Sequence, residues 1–371
     1  MSKGLEDVVA STSAITFIDG VSGRLIYSGY DINDLAEHSN YEEVAYLLWH
    51  KRLPREEELK PFTEDLVSKR AVPKGVLSSI DSLSYDCDTM DAVEMAMAGL
   101  GIYDDPALSL IEKAASIASK IGTIVPYIHR HKYRLPPLEP RKDLSYAADL
   151  LYLLTGKTPD ASSEKLMSVL LVLHADHELN ASTFTARVVA STLSDMYSSI
   201  TAAVAALKGP LHGGANERVV EMVEEIGSPG NVPAFLHAKL ADKQKIMGFG
   251  HRVYKTLDPR AKILRAYAGR IASTSEEKNN LAILDALSEV MVREKGIYPN
   301  VDFYSGFVLH HLGVPTYMFT PFFAVGRTPG WLAHIMEQYA DNRIMRPIAE
   351  YTGPRDERYV SLELRGGKIT A

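Results

Sequence analysis

Two histidines sit at glycine-marked corners of a helical chain, and a third sits on a helix where its apolar run ends. His212 lies in GPLHGGANE, directly ahead of two glycines; His251 lies in GFGHRVYKTLDPRAKIL, behind a GFG turn; His177 lies in VLHADHELNAST, where an apolar run gives way to polar residues. Glycines let the backbone approach a ligand or take a positive φ, but they also simply join helices, so each histidine can equally pack or cap a corner. A carboxylate, Asp302, sits in NVDFYSGFVLHHLG at the edge of an apolar helix, where capping is the plainer role. Partial burial there would raise its pKa and suit it to proton abstraction. Arg260 follows Asp258 and Pro259, a good helix start; Arg327 stands beside a glycine in FAVGRTPGWLAH, and Arg343 and Arg346 stand in DNRIMRPIAEYTGP. Arginines at such corners clamp carboxylates in a two-pronged grip. Arg252, Lys255 and Lys262 add positive charge next to His251 and favour an anion over a merely solvated face.

This inventory suits carbon-acid chemistry on a substrate with several carboxylates. A base removes a proton next to a carbonyl, histidines stabilise the oxyanion, and arginines hold the anion. A metal site is not implied. His174 and His177 follow the order HxxHE, which matches neither HExxH nor HxxEH, and His174 reads as structural because it ends an apolar run.

The elements that must carry these residues are mostly helices. Only TFIDGVSGRLIYSGYDI near the start reads as one or two short strands or hairpins, with Asp19 and Gly20 in the first turn. NYEEVAYLLWHKRL, MDAVEMAMAGLGI and PALSLIEKAASIASKIGTIVPYIHRHKY have helical spacing, and YAADLLYLLTG with the run from SSEKLM to ALKGP predicts a long pair of buried helices. Asn216 is expected to cap a helix starting near Glu217. ERVVEMVEEIG, VPAFLHAKLADKQ and AKILRAYAGRIAS are shorter and more charged, and PGWLAHIMEQYADNR returns to the apolar style. That texture predicts a large helical domain over 1–214 and 321–371 with a small helical domain over 215–320.

The chain has 371 residues, room for about two domains. Its 40 Lys plus Arg against 47 Asp plus Glu give a net charge of -7, which argues against a nucleic-acid partner. One cysteine, Cys87, excludes an intrachain disulfide and a multi-cysteine zinc site. No apolar run approaches the length of about 20 residues that a membrane helix needs. With no leader-like start in MSKGLEDVV, a cytoplasmic protein with no membrane partner is expected. Neither GxGxxG nor GxxxxGK[ST] occurs, so dinucleotide and P-loop folds lack support.

HADHELNAST, GPLHGGANE, GFGHRVYKTLDPRA, VDFYSG and the late GR...RPIAEYTGP, in that order, resemble the motif series of citrate synthases of the short bacterial and archaeal type, which includes 2-methylcitrate synthases. The resemblance covers essentially the whole chain. It implies a mainly α, two-domain helical fold with a short β segment near the N-terminus, assembled as a homodimer whose small domain closes over substrate. It also implies oxaloacetate and an acyl-CoA as substrates, the CoA thioester being a co-substrate, with no tightly bound cofactor and no metal. By the same resemblance His212 polarises the thioester carbonyl, Asp302 takes the methyl proton, and His251 binds and protonates the oxaloacetate carbonyl. His177, Arg260 and Arg327 hold oxaloacetate, and Arg346 reaches the partner's site. CoA phosphates are expected near Arg252, Lys255 or Lys262. The rival activities are 2-methylcitrate synthesis from propionyl-CoA, a non-catalytic helical interaction protein, and a metal hydrolase, the last disfavoured by its missing ligand pattern.

Overall fold

The computed structural model describes residues 3–5 and 8–365; residues 1–2, 6–7 and 366–371, which fall in the expected large unit, lie outside it. Asp19 builds the first turn by accepting from the amides of Val21 and Ser22 at 2.9 and 3.0 Å. That turn pairs β1 (Thr16–Asp19) antiparallel with β2 (Arg24–Tyr27), Thr16 opposite Tyr27 and Asp19 opposite Arg24. A third strand, β3 (Tyr30–Asp31), completes the sheet in the order β1-β2-β3, two successive antiparallel pairings within the strands or hairpins expected here.

The helices run α1 (Ile32–His38), α2 (Tyr41–His50), α3 (Glu56–Ser68), α4 (Lys74–Asp81), α5 (Thr89–Tyr103) and α6 (Leu110–Lys132). After the proline-rich break come α7 (Tyr146–Thr155), α8 (Ala161–His174), α9 (Ala181–Ser191) and α10 (Met196–Lys208). Then follow α11 (Ala215–Ile226), α12 (Val232–Ala241), α13 (Pro259–Ile271), α14 (Ser275–Lys295), α15 (Val301–His311) and α16 (Phe319–Ala340). Local chemistry sets many of these ends. Ser109 and Glu112 close a capping box at the start of α6, Gly156 ends α7 in the left-handed conformation, and Asp258 caps α13 ahead of Pro259.

Two expectations need correction. The stretch read as a long pair of helices is four, α7 to α10. The chain breaks after His174, where Glu178 takes φ 53° and the Asn180 side chain caps α9, and again where Leu193 takes φ 63° and Asp195 caps α10. Asn216 is not a cap either. Gly214, at φ 75°, is the residue before α11, and Asn216 is buried in its first turn. α14 lies outside the helical segments read from the sequence, and Thr274 and Glu277 form a capping box at its start.

α16 is buried for most of its length and packs against α2, α6, α8, α9 and α10. It therefore forms the axis of a core that includes Trp331, Phe319 and Phe322, all almost wholly removed from solvent. α11, α13, α14 and α15 pack mainly on one another, and α16 starts at Phe319, so the anticipated boundary at 320 falls in its first turn. Among the described residues no helix is long and apolar enough to cross a membrane.

Candidate active site

The turn between α8 and α9 carries His177. Asp176 anchors that turn: its carbonyl accepts from Tyr27 Oη at 2.8 Å, and its Oδ2 accepts the Glu178 amide at 3.1 Å. His177 Nε2 lies 3.3 Å from Tyr254 Oη, and its ring meets His251 edge-on with centroids 5.0 Å apart. Burial, with Arg260, His251 and Arg327 adding to it, holds His177 well below the usual histidine pKa. His174 does not join the cleft. It is buried, donates from Nδ1 to the Leu170 carbonyl at 2.7 Å and packs edge-on to Phe323.

His212 sits between α10 and α11. Two glycines make that corner possible: a Cβ on Gly213 would lie 2.3 Å from the Leu207 carbonyl oxygen, and Gly214 has a positive φ. The Ser182 amide donates to His212 Nε2 at 3.2 Å, and Ser182 Oγ lies 2.8 Å from the same nitrogen. An N–H donor makes Nε2 an acceptor, so the neutral ring carries its proton on Nδ1. Burial first and Arg327 second push the His212 pKa down to about 4. The ring is therefore a neutral donor at pH 7.

His251 is fixed by a similar device with the tautomer reversed. Its Nδ1 accepts the amides of Val253 and Tyr254 at 3.0 and 3.2 Å, which leaves the proton on Nε2. Burial and Arg260 push it down to about 4. The GFG turn ahead of it has Gly248 at φ 77° and Gly250 at φ 82°, and a Cβ on Gly248 would come within 2.8 Å of Phe303 and Val219. Asn300 staples that turn to α15: its amide donates to the Gly248 carbonyl at 2.9 Å, and its side chain donates to the Gly250 carbonyl at 3.0 Å. The Asn300 side chain also accepts the Asp302 amide at 3.0 Å. Asn300 thus caps α15, and Asp302 lies inside the first turn with its carboxylate free of that task. Burial raises the Asp302 pKa to about 6, against the pull of Arg260 and Arg327.

Arg260 and Arg327 are both buried. Arg260 grips Asp258 with Nε and Nη2 at 3.0 and 2.8 Å, so this cation is paired, and its pKa lies above the usual value. Asp258 does more than cap α13, since it also accepts the Val301 amide at 3.2 Å and so ties α13 to α15. Arg327 donates Nε to the His174 carbonyl at 2.6 Å and stacks over Phe323; burial draws its pKa down to about 10.

A cavity of about 750 Å³ is lined by His177, His212, His251 and Arg252, with Leu179, Leu211 and Val253 supplying apolar wall. Asp302, Arg260 and Arg327 are not on that lining, but the two cations act on Asp302 and on His177. Lys255 and Lys262 are exposed and outside the lining. Arg346 is exposed in the irregular segment after α16 and is not on that lining. Among the described residues no group of three or more His, Cys, Asp or Glu could hold a metal ion.

Sequence reasoning passed over Ser182, Tyr254 and Asn300 as working parts. Ser182 is a hub, because its Oγ also accepts from Trp331 Nε1 at 3.0 Å and lies 2.8 Å from Asn180 Oδ1. Its signal was the NxS spacing at the start of α9, an asparagine cap followed by a small hydroxyl.

Residues 4–348 match the family model described as citrate synthase, C-terminal domain. The chain belongs to the citrate synthase family. It is 46% identical over 370 residues to "Citrate synthase 2" of Bacillus subtilis, covering 98% of this chain and 99% of that one. It is 40% identical over 356 residues to a "2-methylcitrate synthase" of Mycobacterium tuberculosis, covering 95% and 91%. Among solved structures, a citrate synthase of the thermophilic archaeon Thermoplasma acidophilum in a ternary complex with carboxymethyl coenzyme A and oxaloacetate superposes with a TM-score of 0.93 at 36% identity, covering 98% and 99%. The mainly helical architecture with a small N-terminal sheet is that of the family.

Proposed function

We propose that this chain is a citrate synthase, condensing acetyl-CoA with oxaloacetate and water to give citrate and CoA. The observation that carries the reading is the pair of fixed, opposite tautomers on one cavity wall: His212 offers Nδ1–H and His251 offers Nε2–H, both neutral, while the first turn of α15 supplies a carboxylate raised to about 6.

The chemistry follows from that arrangement. Asp302 takes a proton from the thioester methyl group while His212 Nδ1–H donates to the carbonyl oxygen as it gains charge. A neutral donor suits this step, since a carboxylate can remove so weakly acidic a proton only if the enol or enolate is stabilised as it forms. The enol carbon then attacks the ketone carbon of oxaloacetate, and His251 Nε2–H protonates the ketone oxygen. Water hydrolyses the citryl thioester, which releases CoA and citrate. His177, Arg260 and Arg327 hold the carboxylates of oxaloacetate. Arg252, at the cleft wall, is the best placed of the three basic residues for CoA phosphates, with Lys255 and Lys262 further out.

The unit 215–320 is the small domain that closes over the cleft and excludes water until condensation is complete. The working enzyme is a homodimer in which Arg346 completes the partner's site. Its support is the exposure of Arg346 and of Ile344, Ile348 and Tyr351 on the same segment, apolar surface that a partner would cover. A single cysteine is in keeping with the reducing cytoplasm.

The test is thiol release from acetyl-CoA and from propionyl-CoA, each with and without oxaloacetate. Oxaloacetate-dependent release with higher kcat/KM for acetyl-CoA is expected. A higher value for propionyl-CoA would move the assignment to 2-methylcitrate synthase, and no release with either would end the catalytic reading.

A further inference from the structure

Behind the cleft, a chain of polar side chains, buried from Asp176 through His334 and Arg187 to Gln338, leads from the His177 turn to the arm, the segment that carries Arg346. It begins at Asp176, which has no measurable exposure. Oδ2 of Asp176 lies 3.4 Å from His334 Nε2, and Oδ1 has no hydrogen-bond partner among the described residues. His334, equally buried on α16, presents Nδ1 to Arg187 Nη1 at 3.0 Å. Arg187, on α9, also donates Nη1 to Glu337 Oε2 at 2.8 Å and Nε to Gln338 Oε1 at 3.1 Å. Gln338 turns its amide nitrogen to Asn342 Oδ1 at 3.0 Å and the Arg343 carbonyl at 3.4 Å. Beyond them the Met345 amide donates to Ser191 Oγ at 2.9 Å, one residue before Arg346.

Each link orients the next. A guanidinium can only donate, so His334 Nδ1 must accept, and its proton must sit on Nε2 facing Asp176. Likewise Gln338 Oε1 must accept from Arg187, which commits its NH2 group to the arm. At the arm end Gln338 is held by Arg187, Asn342 and the Arg343 carbonyl, whereas at the cleft end the Asp176 carboxylate is held through Oδ2 alone, by the Glu178 amide at 3.1 Å and the longer His334 contact, with Oδ1 left without a partner among the described residues. A buried acceptor left unsatisfied is costly, so a small shift at Asp176 that improves its bonding is favoured. Asp176 is also the carboxylate that acts most strongly on Arg327, the cation placed above at oxaloacetate. Arg327 donates to the His174 carbonyl at 2.6 Å, and Asp176 directly precedes His177, so the cleft and this chain of side chains share one turn.

We propose that His334, Arg187 and Gln338 are positioning residues that couple the oxaloacetate-binding turn of one subunit to its own arm, and so to the partner's site. The proposal rests on the citrate synthase reading and on Arg346 acting across the dimer. Its consequence is that each site of the dimer influences the other's affinity for oxaloacetate. Plain helix packing would predict only local effects.

The deciding experiment uses full-length hybrid dimers, one chain carrying Asp302→Asn so that a single site turns over, the two chains separated by different affinity tags. His334→Leu is placed on the chain with the disabled site. The expected result is a rise in KM for oxaloacetate at the live site of about two- to thirtyfold, the range for mutations along a coupled network. The acyl-CoA KM and kcat should change less than twofold. His334→Gln, whose amide can accept from Arg187 and donate to Asp176, should restore the wild-type KM. If the leucine variant fails to assemble, His334→Asn, too short to span both neighbours, takes its place with the same expectation. Unchanged KM at the live site would overturn the coupling. Arg346→Ala on the disabled chain is the control: if it raises KM while the His334 variants do not, the relay alone fails; if it has no effect, the trans role of Arg346 fails and the relay with it.

Discussion

Asp302 and the cleft histidines are shifted toward neutrality by the same cause, burial, and this makes their pH signatures opposite in sign. Asp302, raised to about 6, must be ionised to act as the base, so kcat/KM should fall tenfold per unit below about pH 6 and flatten above it. A pH-rate profile with subsaturating acetyl-CoA checks this, and a limb near pH 4 would contradict it. Asp302→Ala should lower kcat at least about a hundredfold, the lower end for general-base contributions; unchanged turnover would remove Asp302 from the mechanism. For stability, His212 and His251 have folded pKa values near 4 against an ordinary 6.5. The unfolded chain binds protons first as pH falls through that window, so stability present above pH 6.5 is lost between 6.5 and 4, with each group contributing a slope of up to about 1.4 kcal/mol per pH unit. Asp302 works the other way between 3.8 and about 6, so it offsets roughly one of the two histidines. Urea unfolding at pH 7.5, 6 and 5 should show a net decline.

At the level of elements, the catalytic geometry depends on turns more than on helices. Gly248 lies at φ 77° with Phe303 and Val219 where a Cβ would go. Gly248→Ala should therefore cost about 1 to 3 kcal/mol in urea unfolding and raise KM for oxaloacetate by displacing His251. Gly230→Ala, with nothing within 4 Å, should stay within about 0.5 kcal/mol. The helix start at Asp258–Pro259 was readable because both residues have strong positional preferences. The breaks that divide α8, α9 and α10 were not, because Glu178 and Leu193 adopt positive φ without being glycine, and the Ala-, Ser- and Thr-rich sequence around them is compatible with continuous helix. Yet the first of these breaks places both His177 and Ser182.

For the whole molecule, the assembly is the largest prediction. Sedimentation velocity should give a dimer. Arg346→Ala should leave that dimer intact and raise KM for oxaloacetate about tenfold or more, the loss of a charge-assisted contact; an unchanged KM would detach Arg346 from the site. The exposure of Ile348 at 87% and Tyr351 at 61% gives the arm apolar surface that a partner would cover.

The sequence by itself determined the residue types and their order along the chain, and the resemblance of five motifs in that order to the citrate synthase series carried the family. The helical architecture was likewise legible in its periodicity. Only the tertiary structure decided which nitrogen of each histidine carries the proton, since that is set by the amides of Ser182, Val253 and Tyr254. It also decided that Asp302 is released from capping by Asn300, and that Asp258 pairs with Arg260 while Arg327 donates to the His174 carbonyl. Each depends on contacts between side chains and backbone groups within a few ångströms, and no pattern along the chain encodes such distances.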